Sequence, residues 1–121
     1  MFKRFGIIVV LLFVESSLAS AVSASDDNFG AIATSDTSGH WGLSYDNSTR
    51  EDAERAALSQ CNRGTEDCTL KVWFKNSCGA IAETQSQYGW GLGNSRAQAE
   101  EKAKAALGNE GAIVAWSCTT R

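Results

Sequence analysis

The sequence predicts an α+β domain of two ββαβ repeats, sharing one core across a pseudo-twofold axis and stapled by disulfides. Three observations lead there. Gly30-Ala-Ile-Ala33 recurs as Gly79-Ala-Ile-Ala82, and Trp41-Gly-Leu43 recurs as Trp90-Gly-Leu92, both at an offset of 49 residues. Each copy then continues with an alanine-rich segment of helical period and a short apolar segment containing a tryptophan, Trp73 or Trp116. Finally, the chain carries four cysteines and no proline, so turns fall to Gly, Asn, Asp and Ser. One copy alone, under about 50 residues, would bury too little surface to be stable, so the two must close on each other.

Taken in order, residues 1–24 read as a signal peptide. Lys3 and Arg4 precede the apolar run Phe5–Val14, and Ala19-Ser-Ala21 and Val22-Ser-Ala24 offer cleavage after Ala21 or Ala24. The run is too short to span a bilayer stably, so no stable membrane insertion is expected after cleavage. Residues 25–28 form a short linker, and residues 29–121 form one domain with repeats at 29–75 and 78–118.

In the first repeat, Gly30–Ser35 and Trp41–Asp46 read as strands around the hairpin loop Asp36–Gly39. Thr49-Arg-Glu-Asp52 has the form of a capping box, and Ala53, Ala57 and Cys61 then share one helical face. Thr69–Phe74 follows as a strand, and Asn76-Ser77 makes a tight link to the second repeat. There, Ser95-Arg-Ala-Gln98 opens a helix with Ala99, Ala103 and Leu107 on the matching face. Gly108 is placed to end that helix in a left-handed conformation, and Ala112–Trp116 supplies the last strand. Because the tryptophans pair between copies, Trp41 with Trp90 and Trp73 with Trp116, they are expected as repeated core positions rather than as a sugar-stacking platform.

An even cysteine count in a small exported chain implies disulfides, and the repeat selects among three connectivities. Cys61 and Cys68 match Leu107 and Gly111 of the other copy, while Cys78 and Cys118 match Phe29 and Lys75. Each pair is present or absent together, which predicts Cys61–Cys68 and Cys78–Cys118. A zinc site fits poorly, since there is no Cys-x2-Cys pair and His40 is the only histidine.

Without the signal segment and its Lys3, Arg4 and Glu15, nine basic residues face thirteen acidic ones. That balance argues against nucleic acid and anionic membrane as partners. Asp36, His40 and Ser44 lie near one another in sequence, yet without a nucleophile elbow they do not read as a triad. The glycines of Gly89–Gly93 have the wrong spacing for a phosphate-binding loop. Glu51 and Asp52 complement the dipole at a helix start. No catalytic residue, metal or cofactor is assigned.

The order aromatic-Gly-Ala-Ile-Ala, Trp-Gly, capped alanine-rich helix, Cys-Gly-Ala-Ile-Ala, second helix and terminal Trp-x-Cys spans Phe29 to Cys118. It resembles the domain of unknown function 4189 family, small exported bacterial proteins that include secreted mycobacterial members. That resemblance implies export, disulfides and a repeated α+β fold, with no established enzyme activity. Some members carry a further cysteine where this chain has Leu107.

These readings lead to an expectation of a secreted or periplasmic, non-enzymatic protein that acts by binding a partner. The partner would be a protein or envelope component: an envelope molecule, a secreted hydrolase that it inhibits, or a host molecule. Three loops, Ser35–Gly39, Asn62–Asp67 and Glu83–Tyr88, would do the recognising, with Asp36, His40, Tyr45, Arg63, Glu66, Asp67 and Tyr88 as the candidate contact residues. The competing expectations are a small envelope hydrolase or sugar-active enzyme, and a structural or stress-related envelope protein without a discrete site.

Overall fold

A computed structural model describes residues 27–120. The expected signal peptide and its cleavage sites lie outside the described residues. The elements run β1 (Phe29–Thr34), β2 (Trp41–Asn47), α1 (Arg50–Cys61), β3 (Thr69–Lys75), β4 (Cys78–Glu83), β5 (Tyr88–Gly93), α2 (Arg96–Ala105) and β6 (Ala112–Cys118). They form an α+β fold with two three-stranded antiparallel sheets, ordered β2-β1-β3 and β5-β4-β6.

Strand periodicity sorts the side chains into layers. On β1, Ala31 and Ala33 point to α1 and pack on Ala53, Ala57 and Cys61. Ile32 points the other way, into an inner cluster with Val72, Phe74, Ile81 and Ala115 that draws on both sheets. On β4, Ala80 and Ala82 meet Ala99 and Ala103 of α2. The layers therefore run helix, sheet, sheet, helix, and the buried centre of each helix–sheet contact is made by alanine, glycine and one cysteine. A Cβ on Gly42 would lie 2.0 Å from the Ala57 carbonyl oxygen, and one on Gly91 would lie 2.2 Å from that of Ala99. The glycines of β5 thus admit a helix backbone, rather than an aromatic ring or a phosphate.

Both helices start as their sequences predict. The Thr49 hydroxyl accepts from the Asp52 N–H, and the Ser95 hydroxyl accepts from the Gln98 N–H. Past α2, Gly108 takes φ +63°, the left-handed conformation expected of it. Asn76, at φ 49°, turns the chain between β3 and β4, and its side chain accepts from the Asn28 N–H at 2.8 Å.

The strand register corrects the equal-offset match of the tryptophans. Ala33 lies opposite Gly42 and Ala82 lies opposite Gly89, so Trp41 takes the register position of Tyr88, and Leu43 that of Trp90. The hairpin between β4 and β5 is two residues shorter than that between β1 and β2. The first unit also carries an irregularity between Phe29 and Ala31, near Asp46 at φ 55°.

The tryptophans are not core residues. Trp41, Trp73, Trp90 and Trp116 are 38–52% exposed. All four sit on the outer strands β2, β3, β5 and β6, and the close alanine–glycine layers leave no room for an indole. The inner cluster is filled instead by Phe74, 1% exposed, whose ring occupies the space over two glycines. A Cβ on Gly30 would approach Phe74 Cζ to 2.2 Å, and one on Gly79 would approach Cδ1 to 2.6 Å. Ser117 holds the same register as Phe74, opposite Gly79 as Phe74 is opposite Gly30.

Cys61 is bonded to Cys68 and Cys78 to Cys118, as the repeat comparison predicts. Cys78 faces Cys118 across β4 and β6, where Phe29 faces Lys75 across β1 and β3. Where the first unit has its short-loop disulfide, the second packs Leu107 over Gly111, at which a Cβ would lie 2.5 Å from Leu107 Cδ1. Among the described residues no helix is long and apolar enough to cross a membrane.

Candidate binding site

The three loops expected to recognise a partner converge through two side chains. Asp67, from the loop closed by Cys61–Cys68, accepts from Ser35 Oγ at 2.6 Å, from Thr65 Oγ1 at 2.6 Å and from Thr37 Oγ1. It thereby ties the disulfide loop to the first hairpin. Lys71 of β3 sits at the register shift between Ile32 and Ala33, where the bulge turns its side chain toward the second hairpin. Its Nζ lies 3.1 Å from Asp36 Oδ1 and 4.6 Å from the centre of the Tyr88 ring, and its side chain is only 3% exposed. Asp36 and Tyr88 are therefore joined by a buried cation.

The other candidate residues are placed differently. His40 is exposed, with Nδ1 2.8 Å from Ser38 Oγ and its ring over Gly64. Arg63 and Glu66 are exposed on the disulfide loop. Tyr45 lies four residues along β2 from Trp41 and is exposed. Asp36, His40 and Ser44 form no triad: Asp36 holds Lys71, while buried Ser44 donates to the Ala53 carbonyl at 2.6 Å and accepts from the Ala31 N–H. All four cysteines are in disulfides.

The hydroxyls of Ser35, then Thr37 and Thr65, hold the Asp67 carboxyl well below the usual carboxylate range. A carboxylate whose folded-state pKa is depressed contributes stability that is present above its unfolded pKa and lost as pH falls through the folded one. The stability difference between the protein and Asp67→Asn should therefore be constant above about pH 5 and shrink progressively below about pH 4. Denaturant titrations of both proteins at stepped pH would test this, and a pH-independent difference would contradict it.

Among the described residues six large apolar side chains are exposed, and three of them carry a stacked cation. Arg50 lies 4.4 Å from the Trp73 ring centre and bonds Glu54, while Arg96 lies 4.0 Å from that of Trp116 and bonds Glu100. Lys71 covers Tyr88. Trp41, Tyr45 and Trp90 carry no such cation from among the described residues.

Trp90 also lines a groove of about 560 Å³ between β3 and β5, together with Val72, Trp73, Phe74 and Leu92. Lys71, Lys75 and Ser77 complete its lining. The opposite flank, between β2 and β6, is closed: Ser117 Oγ donates to the Ser44 carbonyl at 3.2 Å, and Thr120 N–H donates to Asp46. Sequence reasoning missed this groove. The alternation Tyr88-Gly-Trp-Gly-Leu-Gly93 holds the signal for it, since glycines against a helix put every bulky residue on the other face.

Comparisons with known proteins agree with the fold. Protein Rv1269c of Mycobacterium tuberculosis and Protein Mb1300c of Mycobacterium bovis are each 39% identical to the chain over 92 residues, covering 76% of this chain and 70% of theirs. The NMR structure of Rv1813c from Mycobacterium tuberculosis superposes with a TM-score of 0.57 at 38% identity, covering 75% of this chain and 74% of that one. A family profile described as a domain of unknown function (DUF4189) matches residues 29–118, nearly every described residue, and the chain belongs to that family.

Proposed function

We propose that this is an exported, non-enzymatic binding protein whose contact surface is the β3–β5 groove and the loop cluster beside it. The observation that carries the reading is Trp90, a half-exposed indole beside an apolar-walled groove of ligand-binding size. Half-exposed aromatics against a rigid scaffold offer contact area at low entropic cost. Two disulfides in so small a domain support a life outside the cytoplasm, in the periplasm or beyond. The matching strand registers support reading the two units as related by an approximate twofold axis. The partner would be an envelope component, a secreted hydrolase or a host molecule.

The test uses the disulfide-bonded protein as bait against the producing cell's envelope fraction and a host-cell lysate, with a reduced and alkylated control. One saturable partner is expected, lost in the control and weakened at least about tenfold by Trp90→Ala, as for a hot-spot aromatic. Equal binding by the Trp90 variant and by variants of all three loops would defeat the reading.

A further inference from the structure

The groove's lining also indicates a class of ligand, on the premise that the groove is the contact surface. We propose that it takes single-chain anionic amphiphiles, with the hydrocarbon along Val72, Phe74, Trp90 and Leu92 and the carboxylate at Lys75 and Ser77. The volume, about 560 Å³, lies within the range of small-molecule sites. Its walls are apolar, and the only charged side chains in the lining are lysines.

Those two lysines are not equivalent. The Lys71 ammonium is withdrawn from solvent and held by Asp36, so it closes one end. Lys75 is half exposed, and its partner Asp27 lies 3.1 Å away in a surface ion pair of the kind that is worth little. An incoming carboxylate can take the place of Asp27, at the end of the groove where Ser77 adds a hydroxyl. An apolar channel with one exchangeable cation at its mouth matches an amphiphile in both shape and charge.

The edge geometry disfavours the two other occupants of such a site. An extended peptide would have to add to the outer edge of β3, but the register shift at Lys71 interrupts that edge. Edge lysines and bulges are the devices by which sheets refuse a further strand. A second copy pairing β3 antiparallel on β3 about Trp73 would bring Lys71 of each copy opposite Lys75 of the other, a like-charge contact.

The disulfide-bonded protein would be titrated with decanoate, 1-decanol and decyltrimethylammonium below their aggregation concentrations. Indole N–H resonances would report the location of binding. Decanoate should shift Trp90 and Trp73 saturably while leaving Trp41 in place. Lys75→Ala should weaken decanoate about tenfold or more, the worth of one charge-assisted hydrogen bond, and leave decanol unchanged. Trp90→Ala should weaken both. Both substituted residues are exposed, so the variants are expected to fold, and unchanged denaturation curves would verify it.

Equal affinity for the three probes, indifference to Lys75→Ala, or saturable shifts centred on Trp41 would overturn the proposal. If no amphiphile binds and Trp90→Ala still abolishes capture of a macromolecular partner, the amphiphile falls and the broader binding role stands. If Trp90→Ala alters neither, both fall.

Discussion

Replacing Phe74 with alanine is expected to destabilise the protein by about 4 kcal/mol, within the range for phenylalanine truncation in cores. The size of the effect follows from position. Phe74 is the largest fully buried side chain among the described residues, it belongs to the cluster that joins the two sheets, and its ring fills the space left by both Gly30 and Gly79. Those glycines lie on the central strands β1 and β4, whose backbones cannot collapse inward without breaking pairs on both sides. Phe74→Leu should recover more than half of the loss. Equilibrium denaturation of the disulfide-bonded variants measures both, and a loss below about 1 kcal/mol for Phe74→Ala would mean that the ring does not hold the sheets together.

The second large effect separates the two disulfides. Their sequence separations are 7 and 40 residues, and chain entropy alone then gives about 2.5 and about 4 kcal/mol. Burial does not separate the two pairs, since Cys61 is buried under α1 as Cys78 is under α2, so the loop length decides. Cys78→Ala with Cys118→Ala should accordingly cost more stability than Cys61→Ala with Cys68→Ala. Denaturation midpoints of the two double variants decide it. The reverse order would show that the short loop, which also positions Asp67 against the first hairpin, matters more than the constraint across β4 and β6.

Much of the fold was legible in the sequence because its signals are local. Thr49 and Ser95 mark helix starts through hydroxyls that reach only three residues ahead, and Gly108 marks a stop through its own backbone. The disulfide pairing was legible for a different reason: strand register places Phe29 opposite Lys75 as it places Cys78 opposite Cys118, so partners disappear together. Trp73 and Trp116 do hold matching registers, opposite Ala31 and Ala80, and are exposed all the same. Trp41 and Trp90 misled because equal spacing was taken for equal position. A hairpin shortened by two residues moved Trp90 into the register of Leu43, and no local signal reports a loop deletion in one copy.

The candidate site was legible residue by residue but not as an assembly. Asp36, Asp67 and Tyr88 were singled out from the sequence, each for its own chemistry. Lys71, which joins two of them, reads as an ordinary strand lysine until the bulge sets the direction of its side chain. The groove escaped notice because it depends on which flank of the two-sheet stack is closed. That is decided by Ser117 and Asp46, whose partners are 73 and 74 residues away in the chain.

One aromatic ring serving two glycine-lined spaces makes the halves of the molecule complementary rather than interchangeable. Two copies of the first unit placed face to face would bring two phenylalanines to a space that holds one. Two copies of the second would bring two serines, Ser117 standing in that register, and leave the space unfilled. The duplication so plain in the sequence therefore no longer describes a self-pairing motif. With Phe74 and Ser117 at that register position, each unit closes on its neighbour as a large part on a small one, in the manner of the two unlike halves of a heterodimer.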